Sequence, residues 1–440
     1  MGLKISVIGG ASSYTPELFA NLIDLHEHLE VEQVTLMDLN KEKLGVIAKV
    51  GEKLLAGSQM GMRIAATQNL EQAVDGADFI ILQIRVGGLE ARVRDETLPM
   101  EFGMVGNETT GAGGFVCALR TVPVALEIAH EIERLSPNAW VLNLSNPAGI
   151  VTEALLKHTR LHTIGFCNIP INTTYELANV LGVPPEKVRL DSFGLNHLSW
   201  ARGAYVDDEE MLQPLIAGTS GRNSVLYQHG LVEDMLDPQW LRTLNMIPSW
   251  YVRYYYFIEQ VLEQDRRSGP TKGNKDMEAE ERLRSLYLTE GYGDTAQRIL
   301  ASKGGAQYYL PVLQVIRSIV HDSGEVVVVD VRNDGALPDL PAQTCVEVPA
   351  RINRAGIEPL PVGSMPLRVR GLVQAVKAYE ELTVEAATTG SHEAALAALV
   401  AHPLVGSVPR AMLFWDRVLQ NERPYLSRFF DAHQVRPSSP

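Results

Sequence analysis

The sequence contains little cysteine, a deficit of positive charge and no long uninterrupted apolar run. Its three cysteines, Cys117, Cys167 and Cys345, are far apart and odd in number, so a disulfide framework is not expected. Acidic side chains number 53 against 39 basic ones, and the formal charge of -14 argues against a nucleic-acid-binding surface. Because no stretch of about 18 uncharged apolar residues occurs, a membrane span is not expected. The opening MGLKISVIGG enters a strand pattern without a signal region, and we expect a cytoplasmic protein.

The rest of the composition is that of a folded protein. Hydrophobic residues make up 45% and charged residues 21% of the 440 residues, which excludes a disordered or fibrous chain. At roughly 150 residues per domain, the length predicts two or three domains, and two interlocked ones fit as well. Because the whole protein is acidic, any anionic ligand must be bound by a local cluster of basic groups.

The first 200 residues alternate short β-branched runs with longer helical patterns. This alternation predicts an α/β fold with a Rossmann-like, doubly wound parallel sheet, and we assign it to a first domain over residues 1–195. The predicted strands are Leu3 to Ile8, Gln33 to Met37, Phe79 to Gln83, Trp140 to Leu144, His162 to Phe166 and Val188 to Phe193. The predicted helices lie near Pro16 to His26, Lys41 to Ala56, Gly114 to Leu135, Pro147 to Lys157 and Ile171 to Leu181. In such a sheet the binding crevice lies at the carboxyl ends of the strands.

Residues 196–440 have a different pattern, which predicts an α+β domain for substrate binding, catalysis and oligomerisation. Longer helical patterns are interrupted by the aromatic cluster WYVRYYYF and by a strand-like run, EVVVVDV, at Glu325 to Val331. The stretch Glu263 to Glu281 is rich in charge and contains glycine and proline, so we expect an exposed loop there. The final VRPSSP predicts a frayed end.

A glycine-rich turn, VIGGASSYTP, follows the first predicted strand and opens a helix that would start at Thr15. Its backbone amides around Gly9, Gly10, Ser12 and Ser13 could bind a pyrophosphate, although the motif is not a full G-x-G-x-x-G and a plain tight turn is the alternative. The next strand ends in Asp38, which would accept hydrogen bonds from a ribose diol and repel a 2′-phosphate. Together the two features favour NAD, while Asp38 could instead cap the following helix.

Further polar side chains follow the other predicted strands. Arg85 stands at a strand end, where it could bind phosphate or form an ordinary salt bridge, whereas Arg92 and Arg94 are expected to be surface ion-pair partners of neighbouring acids. Glu108 is the only carboxylate in the small-residue segment VGNETTGAGGF and could act as an acid, a base or a hydroxyl acceptor. Asn146 is expected either to cap a helix with Pro147 at its first position or to bind a substrate group.

Cys167 and His197 each follow a predicted strand, and two such donors can converge on one metal ion. The alternative for each is a structural role, as a small buried hydrophobe or a hydrogen-bonded imidazole. Two protein ligands leave a coordination sphere open to water or substrate. Among the clustered tyrosines, one beside a metal could act as a base, but spacing does not say which.

Taken together, these segments resemble the family 4 glycoside hydrolases, in particular the 6-phospho-β-glucosidases. The segments that carry the resemblance are GGASSYTPEL, IRVGGLEARVRDE, VGNETTGAGG, LSNPAGIVTEA, GFCNIPIN, GLNH and WYVRYYY, followed by NDGALPDLP, EVPARI and PVGSMPLRVRGLVQ. They occur in order and cover nearly the whole chain. The family shares its domain plan with lactate and malate dehydrogenases, so the resemblance implies that plan here.

The resemblance also implies an unusual hydrolysis of 6-phospho-β-glucosides, such as cellobiose 6-phosphate, to glucose 6-phosphate. In this scheme NAD+ takes a hydride from C3, a base removes the C2 proton, the C1 leaving group departs, water adds at C1 and the hydride returns. A divalent metal, usually Mn²⁺, stabilises the enediolate. No net oxidation takes place, so NAD is a catalytic cofactor.

The matching motifs give residues of this chain definite roles. By resemblance, Cys167 and His197 hold the metal, Tyr251 is the C2 base, and Glu108 assists the leaving group as a general acid. Substrate contacts fall to Arg85, Asn146 and Asn168, with Ser13 near the 6-phosphate. Relatives often place an arginine where this chain has Lys272 and Lys275, and a lysine binds phosphate without the bidentate fork.

Several readings stay open. Family 4 α-glycosidases and 6-phospho-α-glucosidases use the same chemistry, because elimination from C2 tolerates either anomer. A lactate/malate-type NAD dehydrogenase would instead accumulate NADH, and a nucleotide sensor would not need Cys167, His197 and Tyr251 together. We expect a phosphorylated disaccharide or aryl glycoside as substrate, neither nucleic acid nor membrane as partner, and a homodimer or homotetramer.

Overall fold

A computed structural model describes residues 2–58, 60–304 and 307–430. The strands within them are β1 Leu3–Ile8, β2 Val31–Met37, β3 Arg63–Thr67, β4 Phe79–Leu82, β5 Trp140–Asn143, β6 His162–Gly165, β7 Val188–Leu195, β8 Leu198–Val206, β9 Glu209–Glu210, β10 Ile247–Pro248, β11 Glu325–Arg332, β12 Cys345–Asn353 and β13 Gly356–Pro359. The segment VRPSSP lies outside the described residues.

The α-helices of the described residues are α1 Thr15–Asp24, α2 Lys41–Ala56, α3 Leu70–Val74, α4 Gly88–Glu101, α5 Gly111–Leu135, α6 Ala148–His158, α7 Ile169–Leu181, α8 Leu212–Ala217, α9 Val225–Gln228, α10 Pro238–Leu244, α11 Arg253–Tyr256, α12 Ile258–Arg267, α13 Lys272–Thr289, α14 Asp294–Ser302, α15 Leu310–His321, α16 Leu367–Thr389, α17 His392–Ala401 and α18 Val408–Asn421. Short 3₁₀ turns lie at Pro185–Lys187, Trp250–Val252, Arg423–Tyr425 and Ser427–Phe429.

One mixed sheet runs through the molecule. Its central part has the order β6-β5-β4-β1-β2-β3, with parallel pairing throughout, which confirms the predicted Rossmann-like doubly wound plan. Beyond β6, the antiparallel strands β11, β12, β7, β8 and β10 continue the same sheet. The C-terminal half thus inserts two strands between β6 and β7. The predicted boundary between the two domains, at residue 195, falls at the tight turn between β7 and β8. The boundary itself stays a prediction.

The sequence explains why the central strands form and where the core lies. All four residues of β4 and of β5 are buried, as expected for parallel strands that are covered by helices on both faces. Helix α5 is long and apolar enough to cross a membrane, but 78% of its most apolar window is buried inside the protein. It therefore packs as a central core helix beneath the crevice.

The structure departs from the predicted local structure in three places. The stretch Glu263 to Glu281 is not a loop, because α12 and α13 occupy most of it, and buried Gly273 lets α13 pack closely against α4 at Val93. Tertiary packing thus overrides a charged, glycine-containing composition. Of the two alternatives for Asn146, the helix cap does not hold, since α6 begins at Ala148 with Pro147 at the cap position. The run from Arg85 to Glu96 is largely helical in α4, and this helix was not predicted.

Candidate active site

A cleft of about 430 Å³ lies at the carboxyl ends of the central strands, in the size range of small-molecule sites. It brings together every predicted site residue except one. These residues are Gly9, Ser12, Ser13, Asp38, Arg85, Glu108, Asn146, Cys167, Asn168, His197 and Tyr251. Gly10 lies outside the lining, and a Cβ atom there would come within 2.9 Å of the Leu36 side chain. Gly10 therefore permits the close approach of β1 and β2.

The glycine-rich turn and Asp38 form one end of the cleft. Gly9 has a φ of 88°, and a Cβ atom there would lie 2.5 Å from the Gln83 carbonyl oxygen, so only glycine fits. Asp38 accepts hydrogen bonds from the backbone N–H groups of Ala11 at 3.2 Å and Asn40 at 2.8 Å. The side-chain cap of α2 is Asn40, not Asp38. The Asp38 carboxylate thus joins the glycine-rich turn to the turn after β2 at the edge of the cleft, where a ribose-binding acid is expected.

The tautomer of His197 follows from its hydrogen-bond chain. The Thr109 hydroxyl donates to Asn107 Oδ1 at 2.9 Å, so its oxygen accepts from His197 Nδ1, also at 2.9 Å. The lone pair of the imidazole is therefore on Nε2. Burial lowers the pKa of His197 to about 3, which keeps the ring neutral. His197 adopts a φ of 63° in the tight turn between β7 and β8.

Cys167 provides the second soft donor of the cleft. Its sulfur accepts a hydrogen bond from the Ile169 N–H at 3.5 Å, and burial raises the pKa of the thiol. Across residues 2–58, 60–304 and 307–430, no group of three or more His, Cys, Asp or Glu side chains is arranged to hold a metal ion. A neutral imidazole and a thiol at one cleft fit an open site, in which two protein ligands are completed by substrate oxygens.

Tyr251 lies directly against the proposed metal ligand. Its ring stacks on the His197 imidazole with 3.7 Å between centroids and 6° between planes. Burial raises the pKa of the Tyr251 phenol above its ordinary value, with smaller contributions from Tyr254 and Cys167. Of the clustered tyrosines, Tyr251 is the one in the cleft lining.

An ion-pair network crosses the floor of the cleft and corrects one prediction. Arg92 pairs with Glu96 at 2.9 Å, as expected for a neighbouring acid, but it is not a surface residue. Its side chain is 11% exposed and also pairs with Glu108 at 3.1 Å and Asp276 at 2.7 Å. Arg85 also forms an ion pair with Glu108. Burial acts to raise the pKa of Glu108, but the two arginines outweigh it and hold the pKa below its ordinary value. Arg94 pairs instead with Glu422 at 2.6 Å, far along the chain.

Basic groups from the second half of the chain complete this cleft, and sequence reasoning missed one of them. Lys303, only 6% exposed at its side chain, forms an ion pair with Glu280 and lies 3.2 Å from Ser13 Oγ. Lys272, which the resemblance pointed to, bonds Asp276 Oδ1 at 3.1 Å, whereas Lys275 lies outside this lining. The i, i+4 spacing of Lys272 and Asp276 on α13 was a signal for that pair, whereas Lys303 follows α14 and had no such local signal.

The comparisons with known proteins show the family of the chain. Residues 4–183 match the family 4 glycosyl hydrolase model, and residues 192–405 match its C-terminal domain model. The chain is 36% identical to a Bacillus subtilis protein named "Probable 6-phospho-beta-glucosidase", over 98% of each chain. It is 32% identical to the 6-phospho-beta-glucosidase of Escherichia coli, over 98% of this chain and 97% of the other. Proteins named maltose-6'-phosphate glucosidase match at 27% identity.

Solved structures give the same result. The Thermotoga maritima 6-phospho-beta-glucosidase, solved with NAD and glucose-6-phosphate, superposes with a TM-score of 0.88 at 31% identity and covers 96% of this chain and 99% of its own. Another structure of that enzyme also contains manganese. A lactate dehydrogenase at 14% identity, with a TM-score of 0.54, confirms the shared dehydrogenase-like fold alone. The chain belongs to the family 4 glycosyl hydrolases.

Proposed function

We propose that the protein is a 6-phospho-β-glucosidase. It hydrolyses 6-phospho-β-glucosides, such as cellobiose 6-phosphate, to glucose 6-phosphate. The observation that carries this conclusion is the single cleft in which Tyr251 stacks on His197 beside Cys167, with the glycine-rich turn and Asp38 at one end. Relatives with this function, at 31 to 36% identity, span nearly the full chain.

The cofactors are NAD and a divalent metal, manganese in the solved relatives. When bound, NAD accepts and returns the electrons at C3, while the metal stabilises negative charge on the sugar oxygens. The Gly9 turn and Asp38 would hold NAD, because they offer backbone amides and a ribose acceptor. Cys167 Sγ and His197 Nε2 would hold the metal.

Tyr251 is the residue that we assign to removal of the C2 proton. Its stacking on His197 fixes the phenol beside the metal donors. Because burial raises the pKa of Tyr251, base catalysis at neutral pH requires a positive charge next to the phenol. Cys167 and His197 supply the position for such a charge, so the base would depend on the bound metal.

The basic side chains support recognition of a 6-phosphate in a protein that is acidic overall. Arg85, Arg92, Lys272 and Lys303 line one cleft, and we assign the phosphate to them together with Ser13 and Asn146. Asn168 lines the same cleft and donates a side-chain hydrogen bond to the Gly304 carbonyl. An incoming phosphate would compete with Glu108 for Arg85.

The general-acid role of Glu108 stays a prediction, and its charge environment favours a different one. With a lowered pKa, this carboxylate is ionised at neutral pH and lacks the proton that a general acid donates. We infer that Glu108 orients Arg85 and Arg92 towards the substrate.

One assay tests the reaction and the branch of the family. p-Nitrophenyl β-glucoside 6-phosphate is compared with its unphosphorylated and α-linked counterparts, with and without NAD+ and Mn²⁺, under reducing conditions. We expect cleavage of the phosphorylated β-substrate only, lost without either cofactor. Cleavage of an α-linked or unphosphorylated substrate would place the enzyme in another branch, and net NADH accumulation would indicate a dehydrogenase.

We propose a cytoplasmic homodimer or homotetramer. The three cysteines are unpaired, as expected in a reducing compartment. On α18, the exposed apolar side chains Val408, Met412 and Leu413 are available for a subunit interface. Sedimentation velocity of the purified protein measures the assembly state.

A further inference from the structure

A second cleft, of about 600 Å³, adjoins the active-site cleft. The two share five lining residues: Asn168, Tyr251, Lys272, Lys303 and Gly304. The second cleft contains neither the glycine-rich turn nor Asp38, so it extends from the base in a direction away from the cofactor end. Its walls come from α7, from the 3₁₀ turn Trp250–Val252 and from the start of α13.

Trp250 lines this second cleft and exposes part of its indole. It is 44% exposed, although tryptophan is usually well buried. The Arg253 guanidinium lies 4.0 Å from the centre of the indole and is itself held by Glu233 at 2.8 Å. The indole edge also packs against Tyr251. Arg253 thus fixes the position of the Trp250 indole. The exposed part of the indole offers a flat apolar surface of the kind that packs against the C–H face of a pyranose.

Helix α7 provides further hydrogen-bonding groups to the same cleft. Asn172 and Glu176 are spaced i, i+4 on α7 and both line the second cleft, as does Lys275. Among the described residues, none of these three side chains has a hydrogen-bond or ion-pair partner. An amide and a carboxylate that line one cleft together with an exposed aromatic ring match the hydroxyl groups and the C–H face of a neutral sugar.

We propose that the second cleft binds the leaving group, and that this group is a neutral hexopyranose. The inference rests on the proposed function. C1, which carries the leaving group, is bonded directly to C2, whose proton Tyr251 removes. The leaving group therefore starts beside Tyr251, and the space beside Tyr251 away from the cofactor end is the second cleft. Trp250 stacks on the departing sugar while Asn172 and Glu176 bind its hydroxyl groups.

The test compares two substrates that differ only in the leaving group. Cellobiose 6-phosphate carries a glucose there, whereas methyl β-glucoside 6-phosphate carries a methoxy group that cannot reach the Trp250 wall. For Trp250→Ala and for Asn172→Ala, we expect the ratio of kcat/KM for cellobiose 6-phosphate over the methyl glycoside to fall about tenfold. Trp250→Phe should restore most of the ratio. Glucose, as the released product, should inhibit Trp250→Ala less than the wild type.

Asn179→Ala is the matched control, because Asn179 lies on the same helix and is exposed outside both clefts. It should leave the ratio unchanged. An unchanged ratio in both Trp250→Ala and Asn172→Ala, or an equal loss on the two substrates, would overturn the inference while leaving the proposed function intact. If the wild-type protein cleaved neither substrate, the proposed function would fail and the inference with it.

Discussion

The His197 imidazole and the Tyr251 phenol lie face to face, 3.7 Å apart and within 6° of parallel. The contact joins a residue of a hairpin turn to one of a 3₁₀ turn more than 50 positions later in the chain. A proposed metal ligand and a proposed base are thus held by the same packing contact. Removing the hydroxyl of Tyr251 while keeping its ring should therefore abolish removal of the C2 proton without moving the metal ligand His197.

Tyr251→Phe should keep the stacking and lose the base. We expect kcat to fall by at least about 100-fold, with little change in Mn²⁺ affinity. Exchange of the C2 hydrogen with solvent deuterium, followed by NMR, should disappear in parallel. Tyr256→Phe is the control, because the Tyr256 hydroxyl has no hydrogen-bond partner among the described residues. Full turnover with C2 exchange in Tyr251→Phe would show that another group is the base.

The sequence predicts the parts of this site that lie at strand ends and misses those that reach it through tertiary packing. Cys167 and Asp38 follow strands of the parallel sheet, so their convergence follows from that sheet. His197 also follows a local strand pattern, but its strand, β7, lies in the antiparallel part of the sheet, so its place beside Cys167 depends on tertiary pairing. Arg92 looked like a surface residue because only Glu96 among its partners is near it in the chain, whereas Glu108 and Asp276 lie farther along. The resemblance, rather than spacing, singled out Tyr251.

The insertion of β11 and β12 between β6 and β7 could not be predicted for a related reason. The run EVVVVDV indicates a strand, and β11 forms there, but nothing local specifies its neighbour. Strand pairing across more than 150 residues depends on packing of the whole sheet. Helix α13 was not predicted, because its charged residues and its glycine are typical of a loop. The contact with α4 that stabilises the helix cannot be read from the local sequence.

Thr109 should act as a positioning residue for the metal. Its hydroxyl accepts from His197 Nδ1 and leaves Nε2 free to ligate. We expect Thr109→Val to weaken Mn²⁺ binding roughly 10- to 100-fold, as measured by electron paramagnetic resonance titration. Thr109→Ser keeps the hydroxyl and should restore the affinity. Equal Mn²⁺ affinity in the valine variant and the wild type would refute this role.

Glu280 should oppose cofactor binding. Its carboxylate accepts from Ser13 Oγ at 2.6 Å and forms an ion pair with Lys303, so a negative charge lies next to the glycine-rich turn. Glu280→Gln removes that negative charge from beside the turn where the NAD pyrophosphate would bind. We expect the Kd for NAD+ to fall about fivefold, or roughly 1 kcal/mol, by calorimetry. Glu278→Gln, at an exposed position on the same helix, is the control and should leave the Kd for NAD+ unchanged. Weaker NAD+ binding by Glu280→Gln would show that Glu280 does not oppose cofactor binding.

The last prediction concerns a buried carboxyl pair behind the metal donors. Asp330 and Glu347 are direct partners in the β11–β12 ladder, and both contact the Asn196 side-chain amide, at 3.0 and 3.5 Å. Their outer oxygens, Asp330 Oδ1 and Glu347 Oε1, have no hydrogen-bond partner among the described residues. Burial raises the pKa of both groups, that of Glu347 from 4.5 to about 7, and the neighbouring carboxyl raises that of Asp330 further.

The sign of the resulting pH dependence follows from linkage. Between pH 4.5 and about 7, the folded protein binds more protons at Glu347 than the unfolded chain does. The contribution of Glu347 to the free energy of unfolding therefore decreases as the pH rises through this window, by a few kcal/mol at most. Glu347→Gln should flatten the dependence of Tm on pH across it, measured by scanning calorimetry. Glu358→Gln, at a carboxylate that is 71% exposed, is the control and should keep the wild-type dependence of Tm on pH. If Glu347→Gln also kept that dependence, Glu347 would be ionised in the folded protein.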